Sequence, residues 1–234
     1  MIEITQIKKL SLWIFIIPLL AINLCLFISI NYDLLENTIF VVDQVGRTAF
    51  TIPYIDGSLS ISRASRSFPA YLIFKPGMIL TAFLLYLYWK KNNHLINHFN
   101  KTLDKNYKFK TFGILSAICL VIHSLLLGVE VDLKIFKLLR RIILLSFIIF
   151  EIIAQGLLVH KLYKLKNEIR DLFNPLILKC KIGLVSVLAC VAIFSLPILV
   201  VEGNVHFKHA LEWNYFVGVV LFYLLTKLFW RDVK

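Results

Sequence analysis

The chain has 234 residues, 59% of them hydrophobic and only 17% charged, with a net charge of +12. A soluble domain is nearer half apolar and carries more charge. Here the surplus is gathered into runs of about 20 residues, the length a helix needs to cross roughly 30 Å of hydrocarbon. The basic residues sit between those runs rather than on one surface, which argues against a nucleic-acid partner and fits the cytoplasmic Lys and Arg excess of membrane proteins.

In chain order, Lys8 and Lys9 precede an apolar stretch over about 10–30. That stretch is too long for the core of a signal peptide. It ends in Ser29-Ile30-Asn31 rather than a small-residue cleavage site, so it reads as a retained first span. Residues 31–67 follow as a 37-residue external loop holding Thr51-Ile-Pro-Tyr-Ile-Asp-Gly57 and Ser58-Leu-Ser-Ile-Ser-Arg63. Asp56-Gly57 is a turn signal, and the alternation from Ser58 to Ser62 has a strand-like period. The loop is too apolar for disorder and is expected to fold over the outer mouth of a bundle.

Further spans are expected at about 68–89, 111–129, 142–160, 182–201 and 210–230. The third is fenced by Lys110 and Glu130 and the fourth by Arg141 and Lys161, each with 19 residues between the charges. Tyr86, Tyr88, Trp89, Trp213 and Trp230 lie near span ends, where aromatic anchors collect. The expected fold is an all-α integral membrane protein, a six-transmembrane-helix bundle with an ordered first external loop, forming a single membrane domain over 1–234.

Counting bases gives the orientation. With the N-terminus inside, cytoplasmic segments hold 17 Lys/Arg and external segments hold eight, with Lys75 inside span 2. That bias predicts both termini in the cytoplasm, although the four bases between spans 3 and 4 run against it. Cys25, Cys119 and Cys190 lie inside apolar runs and Cys180 at the edge of one, so neither a disulfide framework nor a thiolate metal site is indicated.

Several residues could carry chemistry. Glu151 is the tenth of the nineteen residues of span 4, which places it at the bilayer centre, and Gln155 follows one turn later on the same face. An ionisable group at that depth faces the bundle interior and has a partner. It marks either a proton or cation site or an interhelical hydrogen bond. Lys75 precedes Pro76-Gly77 in span 2 and would either snorkel outward or pair with an acid in the outer half of the bundle. His123 is a further polar group, inside span 3. His206 and His209 lie between Glu202 and Glu212, a weak metal-ligand candidate whose spacing matches no zinc signature. There is no GxSxG, P-loop, dinucleotide glycine pattern or haem motif, and no cofactor is implied.

At Pro53-Tyr-Ile-Asp56, and at Glu212-Trp213 opening the last span, the chain resembles the DRAM-like (damage-regulated autophagy modulator) family. That family includes factors acting on GPI-anchor lipids. Its members are similar in span order, with a Pro-Tyr-Ile-Ser-Asp-type loop after span 1 and a Glu-Trp pair at span 6. This loop lacks the serine before Asp56, and its continuation from Gly57 to Arg63 does not match the family pattern. The resemblance implies a six-span accessory membrane role, lipid-linked and without catalytic residues to carry over.

The leading expectation is therefore a membrane protein whose external loop and helix ends bind a lipid or a membrane-protein partner, with Asp56, Arg63, Arg66, Glu212 and Trp213 as the residues of interest. A small transporter or channel using Glu151, Gln155 and Lys75 is the alternative, marked by a water-filled cavity reaching Glu151. A third reading, a lipid-modifying enzyme, needs Asp56 or a loop serine within reach of His206 or His209.

Overall fold

Hydrocarbon offers backbone N–H and C=O groups no water, so a crossing segment must close its hydrogen bonds internally as a helix. The computed structural model describes residues 2–42, 46–99, 108–129, 133–200 and 203–231, without the side chains of 134, 137 and 196–200. Within them the chain forms α1 (Ile2–Ile30), α2 (Ile61–Arg66), α3 (Tyr71–Phe99), α4 (Lys108–Leu126), α5 (Lys134–Lys164), α6 (Pro175–Val200) and α7 (Val205–Phe229). All but α2 are long and apolar enough to cross a membrane. The chain is a multi-pass integral membrane protein.

The helices overrun the expected spans. α1 starts at Ile2 rather than near residue 10, α3 runs to Phe99 rather than 89, and α5 covers Lys134–Lys164 rather than 142–160. Hydropathy marks only the part that must face lipid, whereas a helix continues wherever its inner face still packs. Ile4 and Ile7 of α1 and Leu95 and Ile96 of α3 do this, joining the core beyond the apolar runs. α6 starts early for another reason. Asn174 Oδ1 accepts from the Leu176 N–H at 3.0 Å, and Pro175 occupies the first helical position, where its missing N–H costs nothing.

The expected strand-like stretch at Ser58–Ser62 is not a strand. Ser60 Oγ accepts from the Arg63 N–H at 3.1 Å and caps α2, so the alternation ends in a helical turn. Among the described residues the only β pairing is an isolated bridge between Phe173 and Trp230.

Each span packs on the next in chain order, α1–α3–α4–α5–α6–α7, and α7 closes back onto α1. α2 sits at one end of this ring against α1, α3 and α7. That end carries the long loop, and Gly57 touches the start of α7 there. We call it the loop end. At the opposite, terminal end, Glu3 contacts His94, and the Asn174 N–H donates to the Phe229 carbonyl at 2.9 Å. Gly113 lets α4 approach α3 closely, since a Cβ there would fall 2.3 Å from the Trp89 ring. This contact aims Trp89 into the centre of the bundle.

Candidate functional site

Two polar assemblies stand out, one at the loop end and one in the core. The loop-end assembly is built on one end of α7. Gly57, with φ +61°, lies so close that a Cβ would sit 1.7 Å from the His206 carbonyl oxygen, so only glycine fits both the turn and the contact. Beside it, His209 donates from Nδ1 to the Gly57 carbonyl at 3.0 Å. The Trp213 indole N–H donates to the Leu59 carbonyl at 2.7 Å, and Asn214 Nδ2 to the Tyr54 carbonyl at 2.7 Å. Tyr54 meets the Trp213 ring edge-on at 4.8 Å and donates its hydroxyl to Asn23 of α1 at 2.9 Å. The Glu212 carboxylate faces the Ile61 and Ser62 backbone N–H groups and the Ser62 hydroxyl, at the opening of α2. Positions 209, 212, 213 and 214 fall within about one and a half turns, short enough for one end of α7 to strap the whole loop.

Asp56, itself exposed, holds the turn together. It accepts from the Ile52 N–H at 2.9 Å, the Ser58 N–H at 2.8 Å and the Thr51 hydroxyl at 2.8 Å, and Thr51 also contacts Ser58 Oγ. The Ser58 N–H leads the donors that hold this carboxyl down to about 2, well below the usual carboxylate range. Its partners are thus neutral donors rather than Arg63 or Arg66, which lie on α2, exposed and half-buried respectively. These backbone N–H groups belong to the same turn and are already ordered when the carboxylate meets them.

The second assembly was visible only in part. Glu151 and Gln155 are both 0% exposed, and Gln155 Nε2 donates to Glu151 Oε1 at 3.1 Å and lies 3.3 Å from the Val219 carbonyl. Ser116 of α4 donates to Glu151 Oε2 at 2.5 Å, and the Tyr223 hydroxyl of α7 donates to Oε1. The Trp89 indole N–H faces the same carboxyl without reaching hydrogen-bond geometry. Tyr88 stands edge-on to Tyr223 with centroids 5.0 Å apart, and its hydroxyl lies 3.3 Å from Thr226 Oγ1. Thr226 also accepts from Lys181 Nζ at 2.7 Å. Lys181, counted in the sequence among the bases of a cytoplasmic loop, is 0% exposed, with its ammonium 4.0 Å from the Phe222 ring centre. A line of polar groups therefore runs from Ser116 to Lys181 and draws on five spans.

No model of a protein family matches this chain, and neither a curated protein nor a solved structure matches it.

Other expected residues lie apart from these assemblies. Lys75 is half-buried with its ammonium 5.4 Å from the Tyr71 ring centre, one turn nearer the loop end, which is the snorkelling arrangement; it does not meet Glu151. His123 is buried on α4. His206 is exposed and contributes its backbone to the Gly57 contact. Glu202 lies outside the described residues. Among the described residues no three His, Cys, Asp or Glu gather around a common point. The loop bonds do not run serine–histidine–aspartate: Asp56 serves Thr51 and Ser58, and His209 serves a carbonyl.

Sequence reasoning passed over Ser116, Tyr223, Thr226 and Lys181. A signal existed, because Tyr223 and Thr226 stand three apart at depth in span 6, and such a pair shares one helix face.

Proposed function

We propose that this protein is a non-catalytic accessory membrane protein that binds a membrane lipid at its loop end. The observation that carries the reading is the outward face of the strapped loop. Phe50 and Ile55 are each 81% exposed, with Ile52 between them, on a segment whose inner side is bonded to α7. Large apolar side chains held outward by a fixed backbone gain roughly 1.5–3 kcal/mol each when a lipid or partner covers them. A mobile loop would offset part of that gain with ordering entropy, and the strap reduces this cost in advance.

The DRAM-like resemblance supports the same reading, since its two segments, Pro53–Asp56 and Glu212-Trp213, are neighbours joined through Tyr54 and Trp213. We place both termini in the cytoplasm on the base count, so the loop end faces outward. Glu151 acts as an interhelical clasp in this reading. It has no accessible surface, so no water-filled passage touches it in this conformation.

The test is photolabelling in bilayer nanodiscs with a diazirine-bearing phospholipid. The full chain should give labelled peptides covering residues 50–55. Substituting Phe50→Asp and Ile55→Asp together should remove that label while labelling of α6 is unchanged. A loop that takes no label in the parent protein rules out lipid binding there.

A further inference from the structure

At the terminal end, the first turn of α1, the α3 segment after Trp89 and the start of α4 enclose a groove of about 270 Å³. Its lining is Glu3, Lys90, Lys91, Asn93, His94 and Lys110. Three ammonium groups face one carboxylate, and that carboxylate is already engaged by His94 Nδ1. The described lining residues thus carry two more ammonium groups than carboxylates. Lysine stems supply an apolar wall beneath the charged heads.

Depth matters as much as charge. Lys90 stands nineteen residues after Tyr71, where α3 begins, and at 1.5 Å per residue this is about 29 Å, one hydrocarbon thickness. The groove therefore lies at the level of lipid headgroups, on the side opposite the loop end. Phosphate groups are already concentrated at that level, and basic pockets between membrane helices bind phosphorylated headgroups.

We infer that this groove is a binding site for a lipid headgroup that carries a phosphomonoester. Such a group brings up to two negative charges and three strong acceptor oxygens, which matches three lysines drawn from two helices. Among the described residues, no aromatic ring on which a nucleobase would stack lines the groove. The inference concerns the end remote from the loop and does not depend on lipid binding there.

The experiment uses the full chain in phosphatidylcholine nanodiscs doped with phosphatidic acid, with retained lipid read by native mass spectrometry. Lys90→Gln, Lys91→Gln and Lys110→Gln should each lower phosphatidic acid retention about fivefold, as expected for one base near a membrane surface. Glu3→Gln should raise it, a change of sign that damage to the fold would not produce. Lys164→Gln with Lys166→Gln, at the same end but outside the groove, is the control. Equal losses from the control pair would show diffuse attraction and overturn the site, as would a folded triple groove variant that keeps its lipid. Displacement by glycerol 3-phosphate at matching concentration would assign the groove to a soluble phosphate instead.

Discussion

The Tyr223 hydroxyl of α7 donates to the carboxyl of Glu151 on α5, joining two helices that are not consecutive in the ring. Because Ser116 reaches the other oxygen from α4, one carboxyl fixes three helices. In lipid, helix association lacks the drive of water exclusion, so interhelical hydrogen bonds of this kind help set register, each about 1–2 kcal/mol at most.

Glu151→Gln should leave the folded bundle close to the parent in thermal unfolding in detergent. The amide oxygen can still accept from Tyr223 and Gln155, and its nitrogen can donate to Ser116 Oγ. Glu151→Leu strands the Tyr223 hydroxyl, at about 1–3 kcal/mol, while Ser116 keeps the Gly113 carbonyl and Gln155 the Val219 carbonyl. Its unfolding temperature should fall clearly below that of the glutamine variant. Equal loss in both would mean the charge rather than the bonds matters, and would favour the transporter reading.

Lys181→Met and Thr226→Val should differ in the same assay. Methionine keeps the packing on Phe222 and Phe229 and removes a buried polar head, so stability should hold or rise. Valine strands Lys181 Nζ and the Tyr88 hydroxyl, and should destabilise by several kcal/mol, on the scale of a broken buried charge contact. A milder effect for Thr226→Val than for Lys181→Met would contradict the arrangement.

Gly57→Ala should detach the loop from α7. Its Cβ cannot coexist with the His206 carbonyl, and φ +61° is itself strained for alanine. Hydrogen exchange should speed up over residues 51–60 while α3, α4 and α5 keep their protection. Trp213→Phe, which loses only the bond to Leu59 among the polar contacts, should do less, about 0.5–1.5 kcal/mol.

Asp56 gives the loop end a pH dependence. Its carboxyl is held near 2 in the fold against an ordinary value of 3.8. The unfolded turn thus binds a proton more readily than the folded one, so the contribution is full above about pH 4 and fades as pH falls toward 2. Exchange protection over residues 51–58 should decline in that window, and Asp56→Asn should remove the dependence. A pH-independent turn in the parent protein would show that backbone geometry alone holds it.

Orientation is checked by accessibility. In a background with the four cysteines replaced, single cysteines at His98 and Asn174 should react from the cytoplasmic side. Those at Thr38 and Asn204 should react from outside. Reaction of positions 98 and 38 from the same side would break the six-span topology.

Much of this was legible in the sequence. Runs of about 20 apolar residues have one stable solution in a bilayer, so the number and order of spans followed from composition alone. Glu151 and Gln155 announced themselves, because a polar group at mid-span must find a partner. Their nearest bond to each other is local, one helical turn apart. The loop's order followed from its apolar content, and its turn from Asp56-Gly57.

What the tertiary structure decided was who meets whom. Nothing in the spacing of Ser116, Glu151 and Tyr223 brings them together; closure of the ring does, by setting α4 beside α5 and swinging α7 back towards both. Nor could hydropathy tell Lys181, which lies sealed beneath Phe222, from Lys179 two residues before it, which stays exposed. Adjacent bases at a span edge read alike, and only the direction of the helix face separates them. The same holds for Glu212 and Trp213, whose backbone partners on the loop are some 150 residues away. Composition dictates which segments must leave water, but partners across helices depend on rotation and register, which a linear pattern does not encode.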